Sequence, residues 1–130
     1  MSTSPADRIR LEFPADTVNM AIARTVAAAV AARADLTIDQ VEDVRLVMDE
    51  ATAHMIRAAT SGSLISCELW IQDQGVAACL SCNVSPHDAP EPEPFSWMVL
   101  KALVQSLHLE TVDGVLLLRW SLARDHSASS

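Results

Sequence analysis

Glu50 and His54 are side chains of the types that transfer protons in enzyme active sites. They are four residues apart in a segment with helical periodicity, so both would lie on one flank of a helix and face one pocket. That flank is a candidate active site. The alternative is a solvated flank, on which Glu50 and His54, or Asp49 and Arg45, form weak pairs that contribute about 0.2–0.5 kcal/mol each.

The three cysteines offer a second kind of chemistry. Cys79 and Cys82 have a zinc-like spacing, but an odd separation on a strand places the two thiols on opposite faces. Cys67 and Cys82 are predicted to be cross-strand neighbours, which oxidation could link. The alternative is two buried, reduced thiols, which is the usual state in a cytoplasmic protein.

Composition excludes several classes of protein. The chain has 130 residues, half of them hydrophobic, which is enough for one domain with a single core. A net charge of −8 argues against nucleic-acid binding and favours a partner with a basic surface. The longest uncharged apolar run, residues 25–32, is too short to span a bilayer, and no secretion signal opens the chain. We therefore expect a cytoplasmic protein.

The helix that positions Glu50 and His54 is predicted at residues 39–59. Thr37 is its N-cap and Gln40 completes a capping box. Its buried stripe comprises Val41, Val44, Met48, Ala51 and Met55.

Two further helices are predicted on either side of it in the chain. The first covers residues 18–34, with an apolar stripe of Val18, Ile22, Val26, Ala29 and Val30. The other runs from Phe95 to Leu107, with an apolar face of Leu100, Leu103, Val104 and Leu107.

Five strands complete the pattern. Residues 9–13 alternate as a half-buried strand closed by Pro14. A two-residue turn at Gln74-Gly75 would pair Ile71 with Ala78, Leu69 with Leu80, Cys67 with Cys82, and Ile65 with Val84. A second hairpin, turning at Asp113-Gly114, would pair Leu109 with Leu118 and Thr111 with Leu116.

This order of elements predicts an α+β fold. It is a two-layer sandwich in which a mixed, mostly antiparallel five-stranded sheet is covered on one face by three helices. Residues 8–123 form the single domain, residues 1–7 a flexible arm and residues 124–130 a disordered tail.

Four segments, in order, carry a family resemblance. They are Leu11-Glu12-Phe13, Asn19-x-x-x-Ala23-Arg24, Val47-Met48-Asp49-Glu50-Ala51-x-x-x-Met55-Ile56, and Phe95-Ser96-Trp97-x-Val99-Leu100-x-Ala102-Leu103. In this order the chain resembles the bacterial anti-sigma factor and serine-protein kinase family, which has the GHKL (Bergerat) ATPase fold of histidine kinases and gyrase. The last segment is similar to a divergent actinobacterial branch, and the resemblance covers residues 10–122.

The resemblance implies a nucleotide site. Glu50 matches the family's general base, and His54 stands where the family has an Asn that coordinates magnesium. Imidazole is a poor ligand for Mg²⁺, which prefers oxygen donors. Asp88 lies in the segment where the family has its adenine-binding Asp, and it is the residue that would take that role. ATP with Mg²⁺, contacted by His54 and Asp88, is the cofactor that the resemblance allows.

The glycine content argues against that cofactor. The family wraps the phosphates with a Gly-rich lid, because backbone N–H groups approach a triphosphate closely only where Cβ atoms are absent. The chain has only Gly62, Gly75 and Gly114, and none lies between residues 76 and 113. An acidic, proline-rich run, residues 85–94, replaces the lid. We predict that Glu50 is a degenerate base and that no cofactor is bound.

The resemblance also implies partners. It describes an anti-sigma factor that sequesters an alternative, stress-response sigma factor and releases it to a STAS-type anti-anti-sigma protein. The candidate partner-binding residues are Asn19, Met20, Ala23 and Arg24, and a homodimer is expected. One rival is an active serine-protein kinase that phosphorylates the antagonist. Another is a scaffold or sensor whose vacated nucleotide pocket binds a different ligand.

Overall fold

The predicted order of elements is confirmed. The computed structural model describes residues 7–85 and 91–124. A short 3₁₀ turn, Thr17–Asn19, precedes the first helix. The other elements are β1 (Ile9–Pro14), α1 (Met20–Arg33), α2 (Ile38–Ala58), β2 (Leu64–Gln72), β3 (Gly75–Asn83), α3 (Pro94–Leu103), β4 (Ser106–Val112) and β5 (Val115–Ala123).

The five strands form one sheet in the order β1-β2-β3-β5-β4. All four neighbouring pairs are antiparallel, whereas the sequence predicts a mixed, mostly antiparallel sheet. One core joins the inner face of the sheet to all three helices. The predicted two-layer sandwich is therefore confirmed, with an antiparallel sheet. The predicted arm and tail lie outside the described residues, apart from Asp7 and Arg124.

The first hairpin differs from its predicted register by two residues. Gln72 pairs with Gly75, so the turn residues are Asp73 and Gln74, at φ of +50° and +61°. Gly75 is required for another reason, because a Cβ atom there would lie 2.4 Å from the carbonyl oxygen of Leu122 on β5. Since the shift is even, the same side chains stay on the core face.

The corrected register separates the two core cysteines. Cys67 pairs with Leu80, so the predicted direct pairing of Cys67 with Cys82 is wrong. Burial raises the pKa of the Cys67 thiol to about 12 and that of Cys82 to about 11. The Cys82 thiol also donates a hydrogen bond to the carbonyl oxygen of Met55 at 3.7 Å. Both thiols are therefore protonated and unreactive at neutral pH. Cys79 lies half-buried on the other face of β3, as predicted.

The second hairpin is as predicted. Leu109 pairs with Leu118 and Thr111 with Leu116. The turn residues Asp113 and Gly114 have φ of +52° and +77°, the left-handed backbone that a two-residue turn needs.

Helix α2 begins with the predicted capping box. The Thr37 hydroxyl oxygen accepts from the Gln40 backbone N–H at 3.1 Å, and Gln40 Oε1 accepts from the Thr37 N–H at 3.2 Å. Gln40 Nε2 also donates to the Ala123 carbonyl oxygen at 3.0 Å, which ties the helix start to β5. Of the predicted stripe, Val41 is half-buried and the other members are buried: Val44, Met48, Ala51 and Met55.

The predicted buried face of α1 is wrong at Val18, Ile22 and Ala29, which are exposed, whereas Val30 is buried and Val26 packs against the core as predicted. Val18 and Ile22 are 74% and 56% exposed. The buried positions are instead mostly alanine: Ala23, Ala27, Ala28, Val30 and Ala31. Helix α1 is apolar on both sides, so its periodicity does not select one face. Small side chains allow it to pack closely on α2 and the sheet.

Helix α3 is shorter than predicted. It ends at Leu103, and Leu107 lies in β4 instead. Glu93 is its N-cap, with Pro94 in the first turn, so part of the acidic, proline-rich run starts a helix. In the part of the chain that the structure describes, no helix is long and apolar enough to cross a membrane.

Candidate functional site

Glu50 lies half-buried on the flank of α2 that faces α3, where its carboxylate has a partner. The Ser96 hydroxyl, in the first turn of α3, donates a hydrogen bond to Glu50 Oε2. The backbone N–H of Ser96 in turn donates to the Glu93 carboxylate at 2.9 Å. This chain of contacts holds the start of α3 against α2. The carboxylate that matches a general base therefore already binds a hydroxyl of its own chain.

Ser96 is a site residue that the sequence analysis did not single out. The signal that could have found it is the acid-proline pair Glu93-Pro94, which favours a helix start. A helix that starts there places Ser96 in its first turn, on the same side as Leu100, the buried residue four positions later.

His54 was expected on an accessible flank beside Glu50, and the structure corrects this. Its side chain is 3% exposed. Among the described residues, neither ring nitrogen has a hydrogen-bond partner. Burial, and then the positive charge of Arg57, lowers the pKa of His54. The ring is therefore a neutral imidazole inside the core and does not share an open pocket with Glu50.

Helix α2 carries further buried polar atoms near these two residues. Asp49 Oδ1 and Thr52 Oγ1 are buried without a hydrogen-bond partner in the described structure. A buried polar atom left unpaired costs roughly 1–3 kcal/mol, so such atoms are uncommon in a helix that only packs. Helix α2 therefore carries unpaired polar atoms within a packed interior.

These residues do not fit a magnesium–nucleotide complex. A buried neutral imidazole stands at the metal position, and the Glu50 carboxylate is occupied by Ser96. Within residues 7–85 and 91–124, no group of three His, Cys, Asp or Glu side chains could hold a metal ion. Asp88, the predicted adenine contact, lies outside the described residues.

The glycines do not supply a phosphate cradle either. Gly62 has φ of +78° in the turn between α2 and β2, and Gly114 has φ of +77° in the β4–β5 turn. Gly75 makes the close approach to β5. Each glycine in the chain is used for backbone geometry away from the Glu50 flank.

The four predicted partner-binding residues have different environments. Asn19 Nδ2 donates to the Pro14 carbonyl oxygen at 3.0 Å, so it secures the start of α1. Met20 is half-buried. Ala23 is 0% exposed and lies in the core, so its side chain cannot contact a partner. Arg24 is half-exposed, and its Nη1 lies 2.9 Å from Asp49 Oδ2.

An exposed, mostly apolar face lies on the solvent side of α1, and the sequence analysis assigned three of its members to the core: Val18, Ile22 and Ala29. We name it the α1 surface, and it comprises Val18, Ala21, Ile22, Thr25 and Ala29, all exposed. Arg24 borders it on the side toward α2. Solvent-exposed apolar patches of this kind are typical of protein-binding sites.

The chain is similar to known proteins over most of its length. The sequence profile of the histidine kinase-like ATPase domain family matches residues 13–120. Over 103 residues, the chain is 33% identical to the protein "Anti-sigma-F factor RsbW" from two strains of Mycobacterium tuberculosis. The match covers 77% of this chain and 61% of each relative, so the chain spans about three-fifths of their length.

Proposed function

Because the chain belongs to the histidine kinase-like ATPase domain family, we propose that it is an anti-sigma factor that sequesters an alternative, stress-response sigma factor without requiring nucleotide. The similar relatives are named as anti-sigma factors. The observation that carries the proposal is the α1 surface, where Val18 and Ile22 are mostly exposed.

The α1 surface has the composition of a protein-binding patch. Fully burying a valine or isoleucine side chain stabilises a complex by about 1.5–3 kcal/mol, so Val18 and Ile22 could together supply a large part of a binding free energy. Arg24 adds a guanidinium at the border, which binds carboxylates and backbone carbonyls in fixed geometry. An apolar patch with one oriented cation suits a folded protein partner better than a small molecule.

The Glu50 flank supports independence from nucleotide. The Ser96 hydroxyl engages the carboxylate, and the imidazole of His54 is buried and neutral. The sigma factor would therefore bind to a surface that is already formed. A STAS-type anti-anti-sigma protein would release it by competing for the α1 surface.

A second copy of the chain is the other proposed partner. Among the described strands, β1 pairs with β2 alone, so its outer edge is free to contact a partner strand. Ile9 is 38% exposed at the start of this strand. A homodimer through β1 would leave the α1 surface accessible in both copies.

One observation favours an alternative function, an active serine-protein kinase that phosphorylates the antagonist. The Ser96 hydroxyl donates to the Glu50 carboxylate, which is the contact that a general base would make with a substrate serine. In this alternative, the antagonist's serine displaces Ser96. Transfer of labelled phosphate from ATP to the purified antagonist, lost in Glu50→Ala, would establish this activity.

The test of the main proposal is direct binding. The sigma factors of the source organism are purified and titrated one at a time by calorimetry, in EDTA without nucleotide and again with Mg-ATP. We expect one of them to bind with a defined stoichiometry and an unchanged Kd in both buffers. Strict dependence on Mg-ATP would contradict nucleotide independence, and no binding in either buffer would contradict the anti-sigma function.

A further inference from the structure

The guanidinium of Arg24 is already paired within the molecule. Its Nη1 lies 2.9 Å from Asp49 Oδ2, across 25 residues of sequence, and joins α1 to α2. The two side chains are 37% and 27% exposed, so the pair lies at the surface and is reached by solvent from one side. Any group that binds Arg24 therefore meets Asp49 as well.

The carboxylate of Asp49 depends on this contact. Its second oxygen, Oδ1, is buried without a hydrogen-bond partner among the described residues. A carboxylate that has lost part of its hydration is stabilised by the cation that remains beside it. If a partner's carboxylate displaced Asp49 from the guanidinium of Arg24, Asp49 would be left unpaired and close to a second negative charge.

We propose that Asp49 competes for Arg24 with an acidic side chain of the sigma factor. The inference rests on the proposed function, since it takes the α1 surface as the partner site. A carboxylate meets repulsion from Asp49, so the affinity for an acidic partner is held below the value that Arg24 alone would give.

The test is a double-mutant cycle. Asp49→Asn keeps the size of the side chain and removes its charge, and it is measured with and without Arg24→Ala. The matched control is Glu42→Gln, which removes the same charge from α2 but breaks only the Glu42–Arg45 pair. The probe is the sigma factor that the wild-type chain binds in nucleotide-free buffer. Thermal unfolding of each variant confirms that it is folded, and Asp49→Ala serves if the asparagine variant is not.

We expect Asp49→Asn to tighten the Kd by about twofold to fivefold, the range for a half-exposed ion pair. Glu42→Gln should leave the Kd unchanged, and Asp49→Asn should have no effect when Arg24 is already alanine. A Kd that is unchanged in Asp49→Asn would overturn the inference. A weaker Kd would also overturn it, because Asp49 would then orient Arg24 for the partner.

These outcomes separate the inference from the proposed function. If the wild-type chain binds no sigma factor, the proposed function fails and the inference fails with it. If the wild type binds but the cycle shows no coupling between Asp49 and Arg24, only the inference fails.

Discussion

The Glu50 flank of α2 and the α1 surface differ in how the fold treats their side chains. On the flank, polar groups are withdrawn from water: His54 is buried and Glu50 binds the Ser96 hydroxyl. On the α1 surface, apolar groups are left in water, with Val18 and Ile22 mostly exposed. The residues that could take part in chemistry are packed, whereas apolar residues that would usually be packed are exposed to solvent.

This contrast indicates where free energy for binding is available. A polar group that is already buried against its own chain must first be released before it can act on a ligand. An exposed apolar side chain gains free energy on contact, because water is released from its surface. The α1 surface is therefore the better candidate for the functional region, and the flank is the better candidate for a structural one.

The largest expected effect is at Ile22. In Ile22→Asp, a charge replaces an exposed apolar side chain at the proposed interface, so sigma-factor binding should weaken by at least about 2 kcal/mol. The free energy of unfolding should change by less than about 0.5 kcal/mol, because the position is exposed. Calorimetry and urea unfolding measure the two quantities.

The matched control for Ile22 is Val112→Asp. Val112 is also an exposed apolar residue, at 47%, but it lies at the end of β4. Equal loss of binding in both variants would mean that charge alone, and not the α1 surface, governs the interaction.

Ser96→Ala tests the packed state of the flank. Removing the hydroxyl leaves the half-buried Glu50 carboxylate without its donor, so the free energy of unfolding should fall by about 1–2 kcal/mol. Ser106→Ala is the comparison, because the Ser106 hydroxyl bonds Ser121 at an exposed position, 2.6 Å away. If both serine variants unfold at the same urea concentration, the Glu50 flank is open and the contrast with the α1 surface disappears.

The pH dependence of stability reports on His54. Its pKa in the folded state is lowered from the ordinary value of 6.5, so the unfolded chain binds the proton more readily. The stabilisation is therefore complete above about pH 6.5 and is lost as the pH falls from there toward the folded-state pKa. Each unit of pKa lowering corresponds to about 1.4 kcal/mol.

Urea unfolding between about pH 7.5 and pH 5 measures this slope. Replacing His54 with Leu should flatten it. An unchanged slope in His54→Leu would show that other groups govern the acid sensitivity.

The smallest expected effect is at the magnesium position. His54→Asn restores the residue that the family resemblance implies, yet we expect no calorimetric signal with Mg-ATP. Ser96 still occupies Glu50, and no glycine has been added to approach the phosphates. Saturable binding of Mg-ATP by His54→Asn would contradict this expectation, because one substitution would then be enough to turn the flank into a nucleotide site.

Local signals explain what could be predicted from the sequence. The capping box joins Thr37 and Gln40, which are three residues apart, and the turn at Asp113-Gly114 depends only on the backbone angles of those two residues. Both features are therefore predicted correctly. The sequence does not determine the register of the first hairpin, since Gln74-Gly75 and Asp73-Gln74 are both plausible turns. The structure has the second turn, in which the backbone of Gly75 closely approaches Leu122 on β5, a strand that is far away in the sequence.

The amino-acid sequence by itself determined the order of elements, the sheet-and-helix class and the absence of glycines where a phosphate lid would be. Only the tertiary structure decided which side of α1 meets solvent, that Ser96 reaches Glu50, and that Asp49 pairs with Arg24. The first group depends on periodicity and backbone preference over a few residues. The second depends on side chains up to 46 residues apart, whose proximity exists only after the helices have packed on the sheet.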